Sequence, residues 1–283
     1  MKSETRVILD GLIFPECPRW HDGKLYFSDM LDLKVIAVDP AGRAEVVARV
    51  PGQPGGLGWL PDGRLLVVSM TDQRLLRLDA GGLKEVADLS KLATGNCNDM
   101  VVDEKGRAYI GDWGFVGALP KGQRPPAHLI LVAPDGKARI VAGNILFPNG
   151  AVITPDNKTL IVAESFASRL ASFDILPDGS LANYGVWADL GTGVGPDGIC
   201  LDAEGAVWVT NTRVNNVIRV RKGGEVADTI TVSSRAYACI LGGTDRKSLY
   251  LTTADPGLFA DLKDKRSGRI EVIQVDVPGA GLP

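Results

Sequence analysis

Four side chains in this sequence carry oxygen donors at matching places of a repeated segment: Glu16, Asn98, Asn149 and Asp197. Each is followed by about five strand-forming residues and then a tight turn. The copies include Phe14-Pro15-Glu16-Cys17-Pro18-Arg19-Trp20-His21-Asp22-Gly23, Asn98-Asp99-Met100-Val101-Val102-Asp103-Glu104-Lys105-Gly106, Asn149-Gly150-Ala151-Val152-Ile153 and Asp197-Gly198-Ile199-Cys200-Leu201. Two carboxylates and two carboxamides converging on one axis form a hard-oxygen site, suited to Ca²⁺, Mg²⁺ or Mn²⁺ more than to a soft metal. The ordinary role of an Asn or Asp at a strand end is to satisfy backbone groups of a turn. Four in register argue for more, because Glu16 and Asp197 would repel each other in a narrow channel unless a cation lay between them.

The repeats that position these residues have two further copies without a polar head, beginning at Gly55 and Ala238. The six heads are then spaced by 39, 43, 51, 48 and 41 residues. Periods of this size indicate a propeller or a solenoid. After each Asp-Gly type turn comes a second β-rich run, then a third strand such as Lys34–Val38 or Asn216–Val220, then a turn and a fourth. Short strands with turn signals every eight to twelve residues or so predict all-β architecture. The expected fold is a six-bladed β-propeller with four antiparallel strands per blade, one domain over residues 1–283. Helical periodicity is nearly absent; Asp88–Ala93 is the one stretch expected to make a helical turn.

The last repeat lacks a fourth strand, and a segment before the first repeat supplies a candidate. Arg6–Glu16 matches Arg139–Asn149, which holds the fourth strand of one repeat and the head of the next. Residues 6–10 are therefore expected to close the last blade beside Arg269–Val275, burying Val7, Ile8 and Leu9 and leaving no open edge. In such a blade the start of strand one and the end of strand two share a face. The heads then ring the channel mouth. A second polar ring, six residues past each turn residue, holds Asp29, Ser69, Asp112, Glu164, Asn211 and Thr253. Its members are read either as caps of strand ends or as groups that orient the ligands from behind, with Asp29, Asp112 and Glu164 the ones to watch. Trp113, Phe115 and Phe166 follow strand-two ends and are candidates to wall a pocket.

Bulk properties exclude several classes. A net charge of −3 leaves no basic footprint for nucleic acid. No apolar run reaches the ~20 residues of a membrane helix, and the first residues lack an apolar signal region. With four cysteines in 283 residues a disulfide framework is not indicated, and the expected compartment is cytoplasmic with reduced thiols. Only His21 and His128 are present, so neither a Cys-His nor a Ser-His-Asp arrangement is expected, and the thiols read as small buried filler. The Gly-Xaa-Gly runs are blade turns, not phosphate loops.

The Glu16-Cys17-Pro18-Arg19-Trp20 opening, the Asn98-Asp99 pair, Pro148-Asn149-Gly150 and Gly195-Pro196-Asp197-Gly198 resemble the regucalcin/gluconolactonase/luciferin-regenerating-enzyme family. The resemblance covers essentially the whole chain. It implies one divalent metal in the channel of a six-bladed propeller, held by Glu16, Asn149 and Asp197, with Asn98 a fourth ligand or a substrate contact. It also implies hydrolysis of lactones, with Asp197 the general base; relatives such as diisopropyl fluorophosphatase act on organophosphates. Sugar-lactone members often have arginine two residues before the Asn-Asp pair, where this chain has Asn96. The expected activity is divalent-metal-dependent hydrolysis of small cyclic esters, Ca²⁺ being the leading ion and Mg²⁺, Mn²⁺, Zn²⁺ or Fe²⁺ alternatives. Asn96, Asn98, Trp113 and Phe166 are the expected substrate contacts. Phosphotriester or other ester hydrolysis at the same site, and a non-catalytic protein-binding propeller, stay open. The expected partner is a small lactone or ester, with no nucleic acid and no membrane, in a monomer or weak homo-oligomer.

Overall fold

Every repeat becomes one four-stranded antiparallel sheet. Blade 1 is Pro15–His21, Lys24–Asp29, Lys34–Val38 and Ala44–Arg49, and blades 2 to 5 follow the same order from Pro54–Trp59, Cys97–Val102, Pro148–Ile153 and Pro196–Leu201. The inner strands contact one another in the cyclic order of blades 1 to 6 and back to blade 1, which closes the propeller. The computed structural model describes residues 4–117, 119–120, 122–257 and 259–283. The loops expected at Trp113–His128 and Ala254–Gly268 include residues 118, 121 and 258, and Met1–Ser3 of the expected leaderless N-terminus are likewise outside the described residues. The stretch Asp88–Ala93 finishes a strand and makes the single turn expected, Leu92 and Ala93 N–H both donating to Leu89 O. Among the described residues no helix is long and apolar enough to cross a membrane.

Blade 6 is closed as the sequence predicts. Its sheet runs from Arg235–Gly242 through Ser248–Ala254 and Gly268–Gln274 to the N-terminal strand Arg6–Leu12. The register pairs Arg6 with Val272, Val7 with Glu271 and Leu9 with Ile270. The expected burial of the closing strand is only partly met. Val7 is 42% exposed, while Ile8 and Leu9 are partly buried against the core. Val7 lies on the outermost strand of the blade, before an irregularity in the pairing, where no further strand covers it.

Blade-to-blade packing supplies the apolar core. Leu25 and Phe27 of blade 1 are fully buried in one cluster with Trp208 of blade 5 and Leu251 of blade 6. Trp20 stacks on Tyr250 across the blade 1–6 seam at 5.3 Å. Each such side chain contributes roughly 1.5–3 kcal/mol by leaving water. All four cysteines are free and buried. Burial pushes the Cys97 thiol up to about 12 and those of Cys17 and Cys239 well up, which suits filler and opposes thiolate chemistry.

The face opposite the mouth is built from aspartate turns. Asp39, Asp62, Asp103, Asp135, Asp178 and Asp202 each accept the backbone N–H of the residue two positions on, at 2.9–3.1 Å. Several also bind a following cation, as in Arg107 Nε to Asp103 at 2.6 Å and Arg43 Nε to Asp39 at 2.6 Å. The same face is crossed by the C-terminal residues, for which the sequence suggested no role. Leu282 exchanges two backbone hydrogen bonds with Ile153 of blade 4, and Ala280 N–H donates to Leu201 O of blade 5. This tail, leaving blade 6, runs back over blades 5 and 4 and ties the three together.

Candidate functional site

A β-bulge in each inner strand sets the direction of the head residues. In blade 1 the pairing steps from Glu16–Ser28 to Arg19–Tyr26, in blade 3 from Cys97–Asp112 to Met100–Ile110, and in blade 5 from Pro196–Asn211 to Ile199–Val209. Two residues on the inner strand face one on its neighbour, so the ladder leaves amides unpaired there. Head side chains take some of them: Glu16 Oε2 accepts Cys17 N–H at 2.8 Å, and Asp99 Oδ1 accepts Met100 N–H at 2.8 Å. Cys17 has φ 49°, a left-handed conformation that costs energy for a side chain of its kind. Gly150 and Gly198 follow two heads because the neighbouring blade is too near for a side chain. A Cβ on Gly150 would lie 2.5 Å from Ile199 N, and one on Gly198 would lie 2.3 Å from Ala238 Cβ.

The register corrects one head. Ala236 pairs with Thr253, as Pro15 pairs with Asp29 and Pro196 with Asn211. The sixth head is therefore Tyr237, and the expected Ala238 faces Gly198 of blade 5. Tyr237 was missed because an extra residue in this repeat shifts the count from the turn back to the head. Its ring lies 4.5 Å from that of Phe14. Burial and the nearby Asp197 and Glu16 carboxylates push its phenol up to about 12.

Glu16, Asn98 and Asp197 are buried and Asn149 is half-buried. The two carboxamides are held by blade 4. Asn98 Nδ2 donates to Pro148 O at 3.1 Å, next to Asn149, and Asn149 Nδ2 donates to Ser165 Oγ at 3.3 Å. Each carboxamide thus gives an N–H to the protein, which turns it so that its oxygen is available to a cation. Desolvation raises the Glu16 carboxyl from 4.5 to about 8, with Asp99 adding to it. Burial first, then Glu16 and Asp99, raise Asp197 well above the usual carboxylate range, and Asn149 offsets a little of this. Asp197 Oδ1 is buried without a hydrogen-bond partner. A buried carboxylate oxygen left bare beside another acid is costly unless a proton or a cation occupies it. Among the described residues no three His, Cys, Asp or Glu side chains gather as a metal site. A cation here therefore depends on the two carboxamide oxygens as well as the two acids, and this donor set fits a hard divalent ion.

Arg19 and Asp99 are the charged pair that sequence reasoning passed over, although both lie in the quoted motifs. Arg19 Nη2 meets Asp99 Oδ1 at 2.6 Å with both side chains buried. The same guanidinium donates to Leu57 O at 3.0 Å and to Met100 O at 2.5 Å, binding the inner strands of blades 1, 2 and 3. The available signal was an arginine three residues past Glu16 in the same inner strand.

The second ring holds the chain that leads into the heads. Asp29 accepts the N–H groups of Ile13 and Phe14 at 3.1 and 2.8 Å. Asp112 accepts from Thr94 Oγ1 at 3.0 Å and Gly114 N at 2.7 Å, and Glu164 accepts from Leu146 N at 3.0 Å and from Arg169. Burial raises Asp29 and Asp112 above the ordinary range. These carboxylates grip backbone two to four residues ahead of Glu16, Asn98 and Asn149, rather than the ligand side chains. Asn96 is buried, and its backbone N–H and C=O pair with Phe115 O and Trp113 N at 3.1 and 2.9 Å. Trp113 and Phe166 sit on neighbouring loops at the mouth, joined through Phe115 and Phe147.

Fold and site define a six-bladed propeller with a buried ring of hard-oxygen groups at one mouth. Residues 14–255 match the family described as SMP-30/Gluconolactonase/LRE-like region, and the chain belongs to that family. It is 27% identical over 290 residues to a 6-deoxy-6-sulfogluconolactonase of Pseudomonas putida, covering 98% of this chain and 96% of the relative. It is 25% identical over 261 residues to a regucalcin of Xenopus laevis, covering 89% and 86%. A luciferin-regenerating enzyme structure superposes with a TM-score of 0.83 at 21% identity, covering 99% of this chain and 97% of that one. A regucalcin of Agrobacterium tumefaciens, described as a calcium-binding protein, superposes at 0.82 with 23% identity, covering 100% and 97%.

Proposed function

We propose that this protein is a divalent-metal-dependent hydrolase of small cyclic esters, a lactonase. The observation that carries the reading is the pair of buried acids, Glu16 and Asp197, with Asp197 Oδ1 bare at the channel mouth. The names of relatives support the reaction class, and the calcium-binding description of one solved relative supports Ca²⁺. Glu16, Asn98, Asn149 and Asp197 would hold the ion. Bound there, a divalent cation supplies Lewis-acid polarisation of the lactone carbonyl and charge balance for the oxyanion.

The chain's own residues do the rest. Asp197, ionised once its excess charge is balanced, takes the proton of the attacking water. The water oxygen bonds to the carbonyl carbon, the ring C–O bond breaks, and the released alkoxide regains a proton to leave a hydroxy acid. Asn98 Nδ2 and Asn149 Nδ2 stay bound to the protein and fix both carboxamides. Asp29, Asp112 and Glu164 hold the entering backbone, so the heads cannot drift. Metal analysis of the purified protein and a panel of lactones test the proposal together. Bound divalent ion and hydrolysis lost on chelation are expected. Protein that binds no such ion, or opens no lactone with any of them, refutes it.

A further inference from the structure

Beside the polar ring of heads, the channel mouth also carries apolar surface. Over blades 3 and 4, Trp113, Phe115, Phe147 and Phe166 pack as one aromatic cluster, with ring centroids 5.6 Å apart for Trp113–Phe115, 5.9 Å for Trp113–Phe147 and 4.7 Å for Phe147–Phe166. All four are only half-buried, so apolar ring surface is left for a ligand. The cluster is attached to the ring of heads. Phe147 leads directly into Pro148-Asn149, and Phe166 follows Ser165, whose hydroxyl accepts from Asn149. Trp113 follows Asp112, which pairs with Cys97 beside Asn98.

Among the described residues, Arg124, Arg213 and Arg235 at this mouth already have partners. Arg124 donates to Phe166 O, Arg213 to Thr192 O and Ser168 Oγ, and Arg235 to Thr212 O and Asn215 Oδ1. They brace loops and do not form an array for the many hydroxyls of a sugar. Asn96, buried behind the cluster, spends its backbone groups on Trp113 and Phe115.

On the reading that the site opens lactones, we infer that its substrate carries an alkyl or aryl substituent seated on Trp113, Phe115, Phe147 and Phe166, not the hydroxyls of a sugar lactone. Burial on such a wall strengthens binding about fourfold per methylene. The ester end lies at Asn98 and Asn149, and the substituent extends over blades 3 and 4.

Two arms test this. In the first, the Ca²⁺-loaded enzyme is assayed with γ-butyrolactone, γ-hexalactone, γ-nonalactone and galactono-γ-lactone. KM falls along the alkyl series, and kcat/KM for γ-nonalactone exceeds that for the sugar lactone at least tenfold. Trp113→Ala and Phe147→Ala cost γ-nonalactone at least threefold more than γ-butyrolactone, while Trp113→Phe, which keeps a ring, recovers most of the difference. A flat alkyl series, or a sugar lactone turned over as well as γ-nonalactone, overturns the inference. The second arm needs no hydrolysis. Titration with 2-pentylcyclopentanone quenches tryptophan fluorescence, the quench is lost in Trp113→Phe, and methyl glucoside gives none. Failure of the ketone to bind overturns the inference whether or not any lactone is opened; ketone binding with no lactone opened refutes the lactonase reading and leaves the apolar seat standing.

Discussion

The two faces of the propeller use the same carboxylates in opposite ways. On the turn face, Asp39, Asp62, Asp135 and Asp178 are held below the ordinary range, by backbone N–H groups or by the Arg, Lys or Ser that follows. Asp79, gripped by Arg77, falls to about 2. On the mouth face Glu16 rises to about 8, and Asp197, Asp29 and Asp112 rise as well, with burial the first cause each time. A turn aspartate, whether exposed like Asp62 or buried like Asp103, meets its partners close by, so its charge is satisfied where it arises. A mouth acid is delivered by the closed ring into a dry place next to another acid. The difference teaches that one face is assembled locally for stability, while the other buries acids that need a proton or a cation to be stable there.

Removing one of those buried acids is the strongest way to break the contrast. Asp197→Asn should lower divalent-ion affinity at least ~100-fold, beyond what loss of an outer partner usually costs. Hydrolysis should fall by on the order of 10²–10⁴-fold. The metal-free melting temperature should rise, because a buried unpaired acid is gone. Calorimetric titration and thermal melting check all three; unchanged ion affinity would show that the charge is not there for a cation.

The pH dependence comes next in size. Folded Glu16 keeps its proton to about pH 8, whereas its ordinary value is 4.5. Between these values the folded state binds more protons than the unfolded, so metal-free stability falls as pH rises through that window. Saturating Ca²⁺ should flatten the slope, and ion affinity should climb over the same range as protons are released. Melting curves from pH 5 to 8.5 with and without Ca²⁺ are the measurement. A metal-free protein that grows more stable on the way to pH 8 would reverse the assignment.

The turn face predicts smaller and purely structural effects. Asp103→Ala removes bonds to Lys105 N, Arg107 N and Arg107 Nε from a buried carboxylate. It should cost about 1–3 kcal/mol and lower the melting temperature by roughly 3–10 °C, with ion affinity within about twofold. Asp62→Ala, at an exposed turn, should move the melting temperature by no more than about 1 °C. Either variant weakening ion binding tenfold would erase the distinction between the faces.

Much of this was legible in the residues. Heads at Glu16, Asn98, Asn149 and Asp197, turns at Asp-Gly pairs and the match of Arg6–Glu16 to Arg139–Asn149 all express local pattern, since each blade repeats one strand-turn sequence. Tyr237 was not legible, because one extra residue in the last repeat breaks the count and only the Ala236–Thr253 pairing restores it. The apolarity of Val7 argues for the core, and its place on the outermost strand of a blade leaves it partly exposed.

The sequence by itself determined the repeat, the blade count, the closing strand and the types of the ring residues, because these depend on neighbours along the chain. Tertiary structure alone decided that Arg19 reaches Asp99 from another blade, that the tail pairs with Ile153, that the second ring grips backbone, and that Asp197 Oδ1 is left bare. Those outcomes depend on which inner strands become adjacent when the ring closes, and on the water that closure expels.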